Sequence, residues 1–215
     1  LNIESRKRRI NMENVIITIS REFASGGRLV GKKLSELLGI PFYDKEIIEL
    51  AAEKSGLSPE FIKNSEEQSR SAFIHGFASG APQMSGGLYL QYETPANDKA
   101  FFAQSAVIRD LADKGSCVIL GRCGGYILRE RHNCVSVLLH STLSDRSERA
   151  AKVYGMDYSD LADRLLKADK ARYNYHKYYT GENWMDAHNY SLTLNTAICG
   201  VDGAVDAILA YIGKK

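Results

Sequence analysis

The sequence predicts an α/β domain built on a parallel sheet, and three observations carry that prediction. Asn14-Val15-Ile16-Ile17-Thr18-Ile19-Ser20 is a β-branched run apolar on both faces, the pattern of a central strand covered by helices on each side. A glycine-containing segment, Arg21-Glu22-Phe23-Ala24-Ser25-Gly26-Gly27-Arg28, follows it and leads into an amphipathic stretch from Leu29 to Leu38. Strand, loop and helix then recur with short connections, which is the grammar of βαβ units.

The first helix ends at Gly39, and Pro41-Phe42-Tyr43-Asp44 reads as a short strand ending in a carboxylate. Lys45 to Lys54 forms the next helix. The segment from Glu66 to Asp98 departs from this pattern, being rich in Ser, Gly, Ala and Pro with scattered aromatics at Phe73, Phe77, Tyr89 and Tyr92. It reads as an excursion from the core, either a surface loop or a flap over a substrate. Helical pattern resumes from about Ala100 to Lys114, followed by the strand Cys117 to Leu120 and by Gly121-Arg122-Cys123-Gly124-Gly125. After a helical stretch at Tyr126 to Glu130 comes the strand Val135 to Leu139. Thr142 with Asp145 predicts a capping box opening a helix through Tyr154. A polar helix spans Ser159 to about Tyr179, Leu192 to Asn195 forms the last strand, and Ala204 to Ile212 the last helix. Ligands of such sheets bind beyond the C-terminal strand ends.

With 215 residues and a formal net charge of +2, the chain fits one sizeable domain over 14–215, preceded by a flexible arm at 1–13. Near-neutral charge gives no reason to expect a nucleic acid polymer or a membrane surface as partner. No apolar run reaches the ~18 residues that a membrane span requires. A homo-oligomer is compatible with this composition. Cys117, Cys123, Cys134 and Cys199 lack C-x-x-C spacing and read as free thiols of a reducing compartment. The basic Leu1 to Ile10 precedes no long apolar run and is not read as a secretory signal. His75, His132, His140, His176 and His188 form no metal-ligating pattern, so no protein-held metal is assigned.

The glycine segment is of the kind that holds a phosphate on backbone N–H groups at a helix N-terminus. Ser25, Gly26 and Gly27 allow close backbone approach to an anion. A P-loop carries a lysine and a hydroxyl directly after its last glycine, however, and here Gly26 is followed by Gly27 and Arg28. Gly26 to Lys32 formally matches G-x-x-x-x-G-K, but Lys33 follows and the helical pattern already begins at Leu29, so Gly31 and Lys32 belong inside the helix.

Ile19 to Arg28, Tyr43-Asp44-Lys45-Glu46-Ile47-Ile48, Gly121-Arg122-Cys123, Trp184, Asn189-Tyr190-Ser191-Leu192 and Asn195-Thr196 together resemble the cytidylate kinase-like proteins, a branch of the nucleoside monophosphate kinases. The likeness runs from Asn14 to Ile212. It implies a three-layer P-loop kinase-like fold with a five-stranded parallel sheet. It also implies a mobile monophosphate-binding excursion at 58–99, a lid within 143–190, and a cytoplasmic enzyme that uses ATP and Mg²⁺ to phosphorylate CMP or dCMP. Laid over the family's donor site, Ser25, Gly26, Gly27, Arg28, Leu29 and Arg21 bind the ATP phosphates. Gly27 stands at the lysine position and Leu29 near the Mg²⁺-binding hydroxyl. Arg21 and Arg28 are the local cations able to replace the lysine.

Asp44 reads either as a helix N-cap or, by the resemblance, as an acceptor ligand. Arg122 is expected to hold the acceptor phosphate. Arg109 either assists it or pairs with Asp113 on the surface. Gly124 and Gly125, and also Ser191, stand where the family has acidic residues. Arg146, Arg149, Arg164, Lys170 and Arg172 alternate with carboxylates and read mostly as solvated faces. The sharper expectation is a lid that brings Arg146, Arg149 and Arg172, with Arg172 preferred, over the transferring phosphate, on which Arg28 of the loop also acts. Tyr173, Tyr175, Tyr178 and Tyr179 are expected to pack their helix on a neighbour, with Trp184 as a packing anchor. Asn195-Thr196 lines the adenine side or begins a turn. The function expected is ATP-dependent phosphoryl transfer to a pyrimidine nucleoside monophosphate. The alternatives are a catalytically weak nucleotide-binding regulator and a kinase for another small acceptor.

Overall fold

The β-branched run Ile16–Arg21 forms β1, the central strand of a five-stranded parallel sheet in the computed structural model, which describes residues 14–65 and 96–213. The arm expected at 1–13 lies outside the described residues, as does 66–95 of the excursion. The other strands are β2 (Phe42–Tyr43), β3 (Cys117–Leu120), β4 (Cys134–His140) and β5 (Leu192–Asn195). Their order is β2-β3-β1-β4-β5. Register places the site. β1 pairs with β3 only from Ile16↔Cys117 to Ile19↔Leu120, but with β4 as far as Arg21↔Leu139. Ser20 and Arg21 therefore outrun β3 and stand beside the turn that begins at Gly121.

The helices are α1 (Gly27–Leu38), α2 (Glu46–Ser55), α3 (59–65), α4 (Ala96–Lys114), α5 (Gly124–Ile127), α6 (Leu143–Tyr154), α7 (Leu161–Thr180) and α8 (Thr196–Tyr211), with a 3₁₀ turn at Ala187–Asn189. Because a strand alternates its side chains, β1 feeds two cores. Ile16 packs with α2, α4 and α5, whereas Ile17 and Ile19 pack with α1 and α8. The result is three layers, helix on sheet on helix. Each of these isoleucines is fully buried, a gain of roughly 1.5–3 kcal/mol per side chain.

Three expectations change. The last helix starts at Thr196 rather than Ala204, because the Asn195 side chain accepts from the Ala197 N–H and caps it; a kink at Gly200 (φ 67°) divides it. The short helix after β3 begins at Gly124, inside the glycine pair. Asp44 does not cap α2: the N-cap is Lys45, without a side-chain bond, and the Asp44 carboxylate faces Arg28 instead. The Thr142 cap is observed, its hydroxyl accepting from the Asp145 N–H at 3.2 Å. Two of the four tyrosines pack as expected: Tyr179 of α7 stacks on Phe101 of α4 at 4.0 Å, with Tyr175 edge-on to both, whereas Tyr173 and Tyr178 are exposed. Among the described residues, no helix is long and apolar enough to cross a membrane.

Gly31 lies inside α1, where a Cβ would come within 2.6 Å of the Phe42 ring. Its glycine serves close packing of α1 on β2. Gly31→Ala is expected to cost about 1–3 kcal/mol by overpacking, read as a lower urea midpoint, with nucleotide binding unchanged.

Candidate active site

The loop between β1 and α1 is tied down from four sides. Glu22 N–H donates to Leu139 O of β4 (3.0 Å), and the Phe23 N–H to Asp169 Oδ1 of α7 (2.6 Å). The Arg149 guanidinium of α6 donates to Ala24 O (2.8 Å), and the buried Thr196 hydroxyl of α8 to Ser25 O (2.7 Å). Ser25, wholly buried, sets its hydroxyl against Glu22 O and Leu139 O. Ala24 and Gly26 take positive φ (59° and 88°), which turns the chain into the helix. The first intrahelical bond is Val30 N–H to Gly26 O, and no described residue accepts from the N–H groups of Gly27, Arg28 and Leu29. These donors stand at the positive end of a 12-residue helix, an arrangement that favours an anion.

Beside this loop, at the C-terminal edge of the sheet, lies a cavity of about 440 Å³. Ser20, Arg21 and Phe23 form one wall, Leu120 to Cys123 a second, and α7 with Trp184 the roof. Five cations line it: Arg21, Arg122, Arg164, Lys167 and Arg172; no described acidic residue does. Arg122 and Cys123 both hold positive φ (56° and 54°), and this conformation turns the Arg122 side chain toward Asp44 O and Gln104 Oε1 (3.3 and 2.6 Å). Arg172 sits over the Phe23 ring at 5.2 Å and pairs with Asp169.

The expected residues divide into groups. Arg21, Arg122 and Arg172 meet in the cavity. Arg28 and Arg149 stand at the loop, Arg28 half-exposed and paired with Asp44 at 3.3 Å, Arg149 paired with Asp145. Burial pushes the Tyr154 phenol up, against the opposing charges of Arg149, Arg28 and Arg21. Arg146 is placed differently from a lid cation. It is only 4% exposed, lies beneath the loop against Asp169 and Glu22, and also donates to Phe23 O. Arg109 is exposed on α4 and lines neither of the cavities described here. Asp113, its suggested partner, pairs with Arg131.

Arg164 and Lys167 were not separable from solvated helix charges by sequence. They stand three residues apart on α7, one helical turn, and that spacing is the signal of a shared face. His176 is a further wall residue. It lines both this cavity and a smaller one of about 210 Å³, which also shares Ser20 and Cys123 and extends to Glu182, Asn189 and Tyr190. The Thr180 hydroxyl donates to His176 O (2.7 Å) and meets Nδ1 at 3.0 Å, so the ring proton belongs on Nδ1.

The loop's own hydroxyl, on Ser25, is engaged with Glu22 O and Leu139 O. Leu29 occupies the hydroxyl position, and Glu22, Asp145 and Asp169 are each paired with an arginine. No cluster of three or more metal-ligating side chains occurs among the described residues. Among the described residues, then, the side chains beside the loop do not form a protein-held Mg²⁺ site. A divalent cation would be carried by the nucleotide's own phosphates.

A parallel sheet with a glycine loop opening α1 and a cationic crevice at its C-terminal edge defines a P-loop kinase-like protein. The chain belongs to the cytidylate kinase-like family, whose model matches residues 16–198. It is similar to an uncharacterized protein from Eubacterium ventriosum at 27% identity and TM-score 0.66, covering 94% of this chain and 99% of that one. The fold is shared with shikimate kinase from Bacteroides thetaiotaomicron (11% identity, TM-score 0.52, 93% and 98% covered). A gluconokinase from Sinorhizobium meliloti also shares it (17%, TM-score 0.53, 94% and 93%). No curated protein matches the chain.

Removing Arg146 takes the arginine from Glu22 and leaves Asp169 with Arg172 alone, at a buried position beneath the loop. Arg146→Ala is expected to lose about 3–5 kcal/mol of stability, measured by urea denaturation; wild-type stability with lost phosphoryl transfer would return Arg146 to the reacting side. Burial holds the His176 imidazole below its ordinary value of 6.5. The unfolded chain thus takes up that proton first, and stability present above pH 6.5 drains as pH falls toward the depressed folded value. Denaturation midpoints measured from about pH 7 to about pH 5.5 should fall less steeply for His176→Gln, by at most about 1.4 kcal/mol per pH unit.

Proposed function

We propose that the protein transfers the γ-phosphoryl group of ATP to a small phosphorylated acceptor, with a pyrimidine nucleoside monophosphate such as CMP or dCMP as the first candidate. The observation that carries this reading is the five-cation cavity beside a glycine loop whose N–H groups face outward. Cations in a confined, partly dehydrated site favour an acceptor that already bears a phosphate over a neutral sugar or alcohol. Membership of the family supports the nucleotide, and the smaller adjoining cavity offers room for its uncharged part.

In this mechanism the donor phosphates lie on the N–H groups of Gly27, Arg28 and Leu29, with Arg149 at the rim. Arg122, Arg164 and Lys167 hold the acceptor phosphate, and Arg172 closes on the transferring group. An acceptor phosphate oxygen needs no protein base, so positioning and charge compensation do the work. Four cysteines outside any disulfide suit a reducing, cytoplasmic setting. Because Gly27 replaces the usual lysine, a nucleotide-binding regulator is the second reading.

Turnover of ATP-Mg²⁺ with CMP, dCMP, UMP and AMP, alongside unphosphorylated hydroxyl acceptors, tests the proposal. Monophosphates should lead, and Arg122→Ala should raise the acceptor KM about tenfold or more, the loss of roughly one charge-assisted contact. Turnover restricted to hydroxyl acceptors would reject the acceptor class, and nucleotide binding without turnover would favour the regulator.

A further inference from the structure

We propose that Arg21, delivered from the end of β1, is the cation that acts on the transferring phosphoryl group in place of the lysine a P-loop carries after its last glycine. This rests on the phosphoryl-transfer reading above. Gly27 stands at the lysine's position, and a Cβ there would come within 2.8 Å of both Cβ and Cγ of Arg21. The next contact, Ile19 Cγ2 at 3.6 Å, is an ordinary one. The arginine stem thus lies across Gly27, and it alone forbids a side chain there.

Farther along, a Cβ on Gly121 would meet Arg21 Nη1 at 2.1 Å and Cζ at 3.0 Å. Two glycines, one opening α1 and one ending β3, define a channel for this one side chain. Arg21 runs from the donor loop into the wall of the five-cation cavity, the boundary that a phosphoryl group must cross. A lysine at 27 and an arginine at 21 are therefore mutually exclusive solutions to one problem. Arg28, the other local cation, is drawn aside to Asp44.

During transfer an acceptor oxygen bonds to the γ-phosphorus while the bond from that phosphorus to the β,γ-bridging oxygen breaks. Its electron pair departs on the nucleoside diphosphate. Arg21 exchanges no proton or electron; its charge is set against the negative charge shared across the equatorial oxygens.

The test is a double-mutant cycle of wild type, Arg21→Ala, Gly27→Ala and the double variant, assayed for kcat/KM and for ATP affinity, with melting temperatures to verify folding. Gly27→Ala alters no charge and sits at a position of ordinary φ, so a loss of activity reads displacement of Arg21. Both single variants should fall about a hundredfold in kcat/KM, the scale of one transition-state donor. The double variant should be no worse than Arg21→Ala alone. Arg21→Ala with Gly27→Lys, which moves the cation to the loop, should recover at least about tenfold over Arg21→Ala. Additive losses, or a Gly27→Ala enzyme with wild-type kcat/KM, would overturn the inference while leaving the phosphoryl-transfer reading intact. If Gly27→Ala does not fold, the relocation pair decides. Wild type that shows no turnover, whether or not it binds ATP, rejects both the phosphoryl-transfer reading and the role of Arg21.

Discussion

The buried pairing of Arg146 with Asp169 holds the architecture of the site together. Asp169 also accepts the Phe23 N–H and pairs with Arg172, while Arg146 also faces Glu22 and Phe23 O. One carboxylate and one guanidinium thus join β1's loop, α6 and α7. Such pairs contribute little net stability compared with a well-packed apolar cluster, but breaking one is costly. What this pair supplies is registry. The shape of the phosphate loop and the placement of the cation-bearing helix α7 are tied to the same two side chains, so a shift of α7 is felt at the Phe23 backbone.

The cations around the crevice divide by partner. Arg146 and Arg149 are neutralised by Asp169, Glu22 and Asp145, and both donate to loop carbonyls. They shape the backbone that presents the N–H groups. The cavity wall itself has cations and no described carboxylate, although Arg172 among them pairs with Asp169, which does not line it. That separation matters energetically. A phosphate entering the cavity meets cationic donors rather than carboxylates along its lining, and a low local dielectric strengthens the attraction beyond its value in water.

Much of the fold was legible in the sequence because strands covered on both sides must be apolar throughout, and few other structures tolerate runs such as Val15 to Ile19. Cys117–Leu120 and Leu192–Asn195 are strands as read. The start of α8 was missed because its first turns, Thr196 to Gly200, carry β-branched residues and a glycine; the Asn195 cap and the Thr196 contact with Ser25 O hold them. At the site, the glycine loop and Arg122 were legible as local patterns. Arg146 could not be told from a lid cation, nor Arg164 and Lys167 from solvated charges. Those distinctions depend on which partner lies across α6 and α7, over separations such as the 146 residues between Phe23 and Asp169.

Backbone strain points to the same edge of the sheet. Of the four described non-glycine residues with positive φ, Ala24, Arg122 and Cys123 lie in the turns that leave β1 and β3. Conformations of this kind cost of order 1–3 kcal/mol each and persist only where surrounding contacts impose them. Here the imposing contacts are visible. Arg149 holds Ala24 O, and Asp44 O and Gln104 hold Arg122. Relaxing Ala24 would turn the α1 N–H groups away from the rim, and relaxing Arg122 would withdraw a cation from the cavity. Both turns thus hold these groups in place through contacts within the fold itself, the preorganisation that the proposed phosphoryl transfer would use. The fold holds those turns in a conformation that the residues alone would not choose.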